Sequence, residues 1–332
     1  MLSRADRPWT NVYGVARATL ALATSLTLLA DSGERLFEPL VIADRGIFDR
    51  SAIVGASLFY LARNHLVAAK LVALLVLLLV VIGWRPRLTA IPHWYVSFSF
   101  FASASLADGG DLVASTLTLL LVPIALTDDR VWHWRGTGDG RALAAVAAQT
   151  GWLLVRVQVA VIYLFAAVLK FRTDEWSNGT ALYYFWRDGT FGTSGVLRSL
   201  TDLIGRTVAV VPLSWSVLVV ELLLAAALFA PLRFRARLLP VAILFHVGIA
   251  VFHGLPTFAL TMSAALVLYL RPWWRPFHLP ERMRWPAAWR GKPVEGASFL
   301  QPDRRMADSA SRASSTAGVD GPGAACSSAG SG

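Results

Sequence analysis

Val157–Trp176 reads VQVAVIYLFAAVLKFRTDEW. It begins as lipid-soluble helix and ends in a lysine, an arginine, two acids and a tryptophan. The apolar run starts upstream at Leu143, so Leu143–Lys170 exceeds the roughly 20 helical residues that cross a ~30 Å hydrocarbon core. The excess must tilt or project from the bilayer. A segment of this kind predicts a membrane helix, because a helix satisfies its own backbone groups where no water can.

The rest of the chain agrees. Of 332 residues, 55% are hydrophobic and 16% charged, against about 45–50% and about 25% in soluble domains. Mean hydropathy is +0.54. The expectation is an all-α, polytopic helical membrane protein with about eight transmembrane helices, some short or re-entrant. The candidate spans are Val12–Ala30, His65–Trp84, His93–Ala107, Leu112–Thr127, Leu143–Lys170, Thr207–Ala230, Leu238–Phe252 and Thr257–Leu270. The third, seventh and eighth are short. The first apolar run lacks a short core followed by a small-residue cleavage site, so it reads as a retained span. Residues 1–11 are an N-terminal segment, 12–275 the membrane domain, 276–302 a basic juxtamembrane stretch, and 303–332 a small-polar tail expected to be disordered.

Net charge is +10. Nucleic acid is not the expected partner, because the arginines gather in short loops beside apolar segments. Arg4 and Arg7, Arg85 and Arg87, Arg130, Arg135 and Arg141, Arg233 to Arg237, and the stretch from Arg271 to Lys292 fall on one side of an alternating topology. The positive-inside rule then sets both termini in the cytoplasm of a multi-pass cell-membrane protein. Lys170, Asp108 and Asp111 fall on the outer face. The single cysteine, Cys326, excludes an internal disulfide and a cysteine metal site. No metal site is expected elsewhere.

Certain polar residues stand where lipid would penalise them. Gln149, Arg156, Tyr163 and Lys170 recur every seven residues, which sets them on nearly one helix face. That face should look into the bundle. Arg156 lies about 20 Å along the helix from Leu143 and needs a partner, since translocon scales set its cost at about 2.5–3.5 kcal/mol. Glu221 on the sixth span is expected to pair with it, with Arg17 as a competitor. Lys170 has two readings. One is an anchor that reaches for headgroups beside Trp176. The other is a partly desolvated base, with Lys70 as a neighbour at similar depth. His93 opens the third span and His246 lies within the seventh; buried histidines are either hydrogen-bonded core groups or functional ones. Asp108 and Asp111 bracket a glycine hairpin that either joins two spans or contributes to a pocket.

Three blocks resemble a known family. NVYGVARATLALATSLTLL, PHWYVSFSFFASASLADGGDLV and LLLVPIALTDDRVWHW are similar to the sporulation-delaying protein B (SdpB) family, within the wider HTTM superfamily that contains vitamin K-dependent gamma-carboxylase. The resemblance runs from about Pro8 to Arg275. It implies an accessory role in maturing or exporting a secreted peptide toxin, with a small peptide precursor and an accessory maturation protein as partners besides the lipid bilayer. The superfamily resemblance sets Lys170 at a catalytic-lysine position and His93, followed by Asp108, at a functional-histidine position. It implies a membrane enzyme using a lysine base on a quinol, with a quinone as cofactor. An immunity protein or transporter is a third alternative. One difficulty stands: the topology puts His93 at the inner end of its span and Lys170 at the outer end of its own.

Overall fold

The computed structural model describes residues 7–37, 54–105, 107–134, 141–193 and 195–278. The expected tail at 303–332 and nearly all of the basic stretch 276–302 lie outside them. All regular structure among the described residues is helical. Eight principal helices occupy the eight expected positions: α1 Asn11–Ala30, α2 Leu66–Ile82, α3 Pro86–Ser103, α4 Gly109–Leu126, α5 Ala142–Lys170, α6 Val210–Ala226, α7 Leu232–His253 and α8 Pro256–Leu270. Five helical segments are long and apolar enough to cross a bilayer by themselves, and a sixth crossing results if Gly195–Gly205 and α6 count as one bent span.

Two spans expected to be short are not. α3 has 18 residues and α7 has 22, because each begins in polar residues that hydropathy assigns to loops. Pro86 starts α3, where its missing N–H costs nothing. Arg233, Arg235 and Arg237 form the first turns of α7. Only α8 stays short, at 15 residues. It does so because protein surrounds it: α8 packs against α1, α4, α5 and α7, and Ala259, Met262, Ala264, Ala265, Leu266 and Leu268 are buried. Small residues of this kind let helix backbones approach closely inside a membrane. α2 shows the opposite pattern, with Val67, Leu71, Leu75 and Leu78 exposed as a lipid-facing helix requires.

The packing order follows the chain only in part. α3 and α4 form a hairpin, α5 packs on α4 and α6, α7 on α8, and α1 lies between α2 and α8. Gly151 sits where α5 presses on α4; a Cβ there would meet Ile124 at 2.9 Å.

Loops tie each end of the bundle. At the arginine-rich end, Trp9 Nε1 donates to Thr127 Oγ1 (3.0 Å), Thr10 Oγ1 to Trp273 O (2.7 Å), and Arg85 N to Val131 O (2.8 Å). Gly83 ends α2 at φ +85° and lies against the His133 ring and Trp134, where a Cβ would come within 2.6 Å of both; both the backbone conformation and the space demand glycine. At the opposite end, Ser105 N donates to Leu36 O (2.8 Å) and the His253 ring lies 3.0 Å from Phe191 O.

Candidate functional site

The α5 row points inward as its spacing requires. Tyr163 is buried and Gln149, Arg156 and Lys170 are half-buried, whereas Leu153, Leu154, Leu164 and Phe165 are exposed. Two polar groups assemble around this row's far end. Lys170 Nζ donates to Glu221 Oε1 at 2.6 Å, and Tyr163 Oη lies 2.9 Å from His246 Nε2. The two pairs lie within electrostatic reach of one another, Lys170 acting on His246 and Glu221 on Tyr163. Three helices therefore contribute to one centre: α5 (Tyr163, Lys170), α6 (Glu221) and α7 (His246).

The centre is enclosed but not saturated. The Glu221 side chain is 8% exposed and that of Lys170 is 26% exposed. Glu221 Oε2 and His246 Nδ1 are buried with no hydrogen-bond partner. A buried polar atom left in that state costs about 1–3 kcal/mol, so a carboxylate oxygen and an imidazole nitrogen stand ready for a further group. Lys170 also lies 5.4 Å from the Trp176 ring centroid, and this cation–π contact covers the amine from the side of the following segment. Lys170 is thus held by an ion pair as well as by the tryptophan beside it.

The expected Arg156–Glu221 pair does not form; Glu221 takes Lys170. The reason is depth. Residues after α5 fold back against the start of α6: Leu182 N donates to Ser214 Oγ (3.2 Å), Trp215 Nε1 to Ser177 O (3.3 Å), and Trp176, Ala181 and Leu218 pack together. α6 therefore extends past the end of α5, and Lys170 arrives level with the middle of α6. Arg156 lies further along, toward Tyr269 and Arg235, with its Nε buried and unpartnered. Lys70 is no neighbour of Lys170; it donates to Asp31 O (2.7 Å) and caps α1.

His93 is also not brought to Lys170. It belongs to a second cluster toward the arginine-rich end, within electrostatic reach of Arg17 and His133. Arg17 Nη2 donates to Thr89 O (2.6 Å) and Oγ1 (3.0 Å). Tyr13 donates to Asp128, and Arg130 grips the same carboxylate with Nε (2.9 Å) and Nη2 (2.8 Å). Arg17 Nη1, His93 Nε2 and both ring nitrogens of His133 are buried without partners. Burial, then the charges of Arg17 and Arg130 and the nearby His93, hold the His133 imidazolium well below its ordinary pKa of 6.5. His133 therefore stays neutral. The sequence reading missed Tyr13, Asp128, Arg130 and His133. Their signal was present in TDDRVWHW, where acids, a base and a histidine crowd one short loop, and in the Tyr13–Arg17 spacing of one helical turn.

Asp108 and Asp111 form a capping box on α4. Asp108 Oδ1 accepts from Asp111 N and Asp111 Oδ2 from Asp108 N, both at 3.0 Å. Two orphan donors at a helix start are satisfied reciprocally, which accounts for both acids without a ligand. A separate cleft of about 640 Å³ opens at the arginine-rich end, lined by Arg87, Thr127, Asp129, Arg141, Leu143, Ala144 and Ala147; Lys170 and Glu221 do not line it. Among the described residues no group of three or more metal-ligating side chains occurs.

Two curated proteins are similar to this chain over most of its length. An uncharacterized protein, YitO, of Bacillus subtilis (strain 168) is 41% identical over 271 residues, covering 80% of this chain and 86% of the relative. Sporulation-delaying protein SdpB of the same organism is 33% identical over 270 residues, covering 80% of this chain and 82% of the relative. No family profile and no solved structure matches the chain. With that identity sustained across four fifths of both sequences, the chain belongs to the SdpB family.

Proposed function

We propose that this protein acts in the maturation or export of a small secreted peptide, and that the Lys170–Glu221 and Tyr163–His246 centre is where it engages that peptide or a group on it. Membership of a family named for a sporulation-delaying protein supports the process. The observation that carries the site is the half-used Glu221 carboxylate: one oxygen holds Lys170 and the other, buried, has no partner. Such an oxygen accepts a hydrogen bond from an amide, amine or hydroxyl and holds it away from bulk water. The arginines collected at the opposite end of the bundle support an orientation with that end in the cytoplasm. Lys170 and its covering segment then face outward, where a secreted peptide passes.

The test is deletion of the gene in its native host, followed by mass spectrometry of secreted peptides. The expected result is loss or altered mass of one small peptide, restored by the wild-type gene and not by Glu221→Gln. An unchanged peptide profile after deletion overturns the process; full restoration by Glu221→Gln overturns the site.

A second reading, a membrane enzyme of the HTTM and gamma-carboxylase type, is favoured by one feature. Lys170, Glu221 and His246 come to one centre from α5, α6 and α7, and a quinol hydroxyl can donate to the open Glu221 oxygen. A quinone, when bound, supplies redox chemistry that no side chain here has. The chain's own contribution is to orient the hydroxyl on Glu221 and to exclude water. Lys170 as base first has to lose its carboxylate partner or pass its proton to it. Binding of the reduced quinol to the purified protein, weakened by Glu221→Gln with the fold retained, is the result this reading expects. Absence of binding by the wild-type protein removes it.

A further inference from the structure

Between α5 and α6 lies a helix, Gly195–Gly205 (GVLRSLTDLIG), whose polarity is inside out. Its polar side faces protein. Thr201 is buried, Asp202 receives a 2.6 Å ion pair from Arg187, and Gly205 lies against Tyr183 and Arg187. Arg187 is itself held over the Tyr183 ring at 3.8 Å. The opposite side carries Val196 (90% exposed), Leu200 and Leu203 (66% exposed). Their spacing puts all three on one face, and Val208, 87% exposed, follows.

The direction of this helix decides what meets that face. Its axis stands 104° from that of α6, across a break of four residues. α6 exposes Leu213, Trp215, Val219 and Leu222, as a helix in lipid does. A helix nearly perpendicular to such a span, joined to its first turn, runs along the membrane plane. A helix with one apolar face and basic residues on its other sides has the composition of an interfacial helix, and Arg198 and Arg206 are exposed.

We propose that Gly195–Gly205 is an interfacial helix that sinks Val196, Leu200 and Leu203 into the lipid leaflet at the Lys170 end of the bundle. Through the Arg187–Asp202 pair it tethers the segment 174–193, whose Trp176 covers Lys170. The cover over the centre is thereby fastened to the bilayer as well as to the protein.

The experiment uses the full chain with Cys326→Ser and single spin-labelled cysteines at positions 196, 198, 200, 203 and 206, in nanodiscs of phosphatidylcholine and phosphatidylglycerol. The expected result is oxygen-favoured relaxation at 196, 200 and 203, at a depth of about 5–10 Å below the headgroups, and water-soluble-nickel-favoured relaxation at 198 and 206. Equal aqueous access on both faces overturns the proposal. So does exclusion of both reagents at 196, 200 and 203, which marks a protein partner or second copy, and so does a depth at the bilayer midplane, which marks a re-entrant loop. Trypsin supplies a second readout without labels. Cleavage after Arg198 and Arg206 in nanodiscs should rise several-fold in a Leu200→Ser/Leu203→Ser variant, and unchanged cleavage also overturns the proposal.

Discussion

Among the described residues two carboxylates are buried, and they differ in how fully they are used. Asp128, at the arginine-rich end, accepts from Arg130 Nε, Arg130 Nη2, the Arg130 backbone N–H and Tyr13. Glu221, within the span, holds Lys170 with one oxygen and leaves the other open. The first arrangement has nothing left to offer a ligand. Its value is structural, since it joins the α4–α5 loop to α1. The second keeps an acceptor in reserve beside an amine, a phenol and an imidazole. The difference separates a carboxylate that is fully used from one that is half used.

The comparison breaks first if Asp128 proves dispensable. Asp128→Ala takes the carboxylate from a buried guanidinium, and removing one partner of a buried pair costs about 3–5 kcal/mol. Thermal unfolding in detergent should show that loss, whereas Glu221→Gln should cost about 1.5–3 kcal/mol, the range for a hydrogen bond to a charged group. A double-mutant cycle sharpens the second number: Lys170→Met and Glu221→Gln should couple, and Arg156→Met and Glu221→Gln should not. Coupling to Arg156 instead would return Glu221 to the partner its sequence position suggested.

Acid separates the two regions next. His133 is held neutral in the folded state, with its pKa well below the ordinary 6.5, while the unfolded chain protonates near that value. Between the two pKa values the unfolded state binds the extra proton, so stability falls as pH drops below about 6.5, by at most about 1.4 kcal/mol per pH unit for one group. At higher pH this contribution is flat. His133→Gln should remove one proton's worth of slope from stability measured across that window; an unchanged slope means that His133 titrates freely. The smallest effect belongs to Tyr163→Phe. It leaves His246 Nε2 buried without a partner, which costs about 1–3 kcal/mol, and should lower the melting temperature by no more than the loss at Glu221.

The helices were legible because hydropathy reports length and lipid contact directly. α2 and α5 expose their leucines and valines and could be read almost end to end. α3 and α7 were read short, since Thr89 and Arg235 are buried against protein rather than lipid, and a hydropathy window counts them as loop. The inward face of α5 followed from its seven-residue row. The partner of Glu221 did not follow, because counting 1.5 Å per residue assumes that helices begin and end at the same level. The segment after Lys170 folds along α6 and shifts that level. No local pattern announces such a shift; it arises from Trp176, Ser177 and Leu182 meeting Ser214, Trp215 and Leu218 across more than thirty positions of chain.

The short helix α8 has a consequence for how the protein is made. It is the hub on which α1, α4, α5 and α7 converge, yet it leaves the ribosome after all of them. Earlier segments must wait in the membrane with their inward faces uncovered, and α1 must hold a place for a neighbour synthesised more than two hundred residues later. Closure of the assembly is therefore a late event, and a chain interrupted just before Pro256 would carry every element of the centre and lack the core that holds them in position.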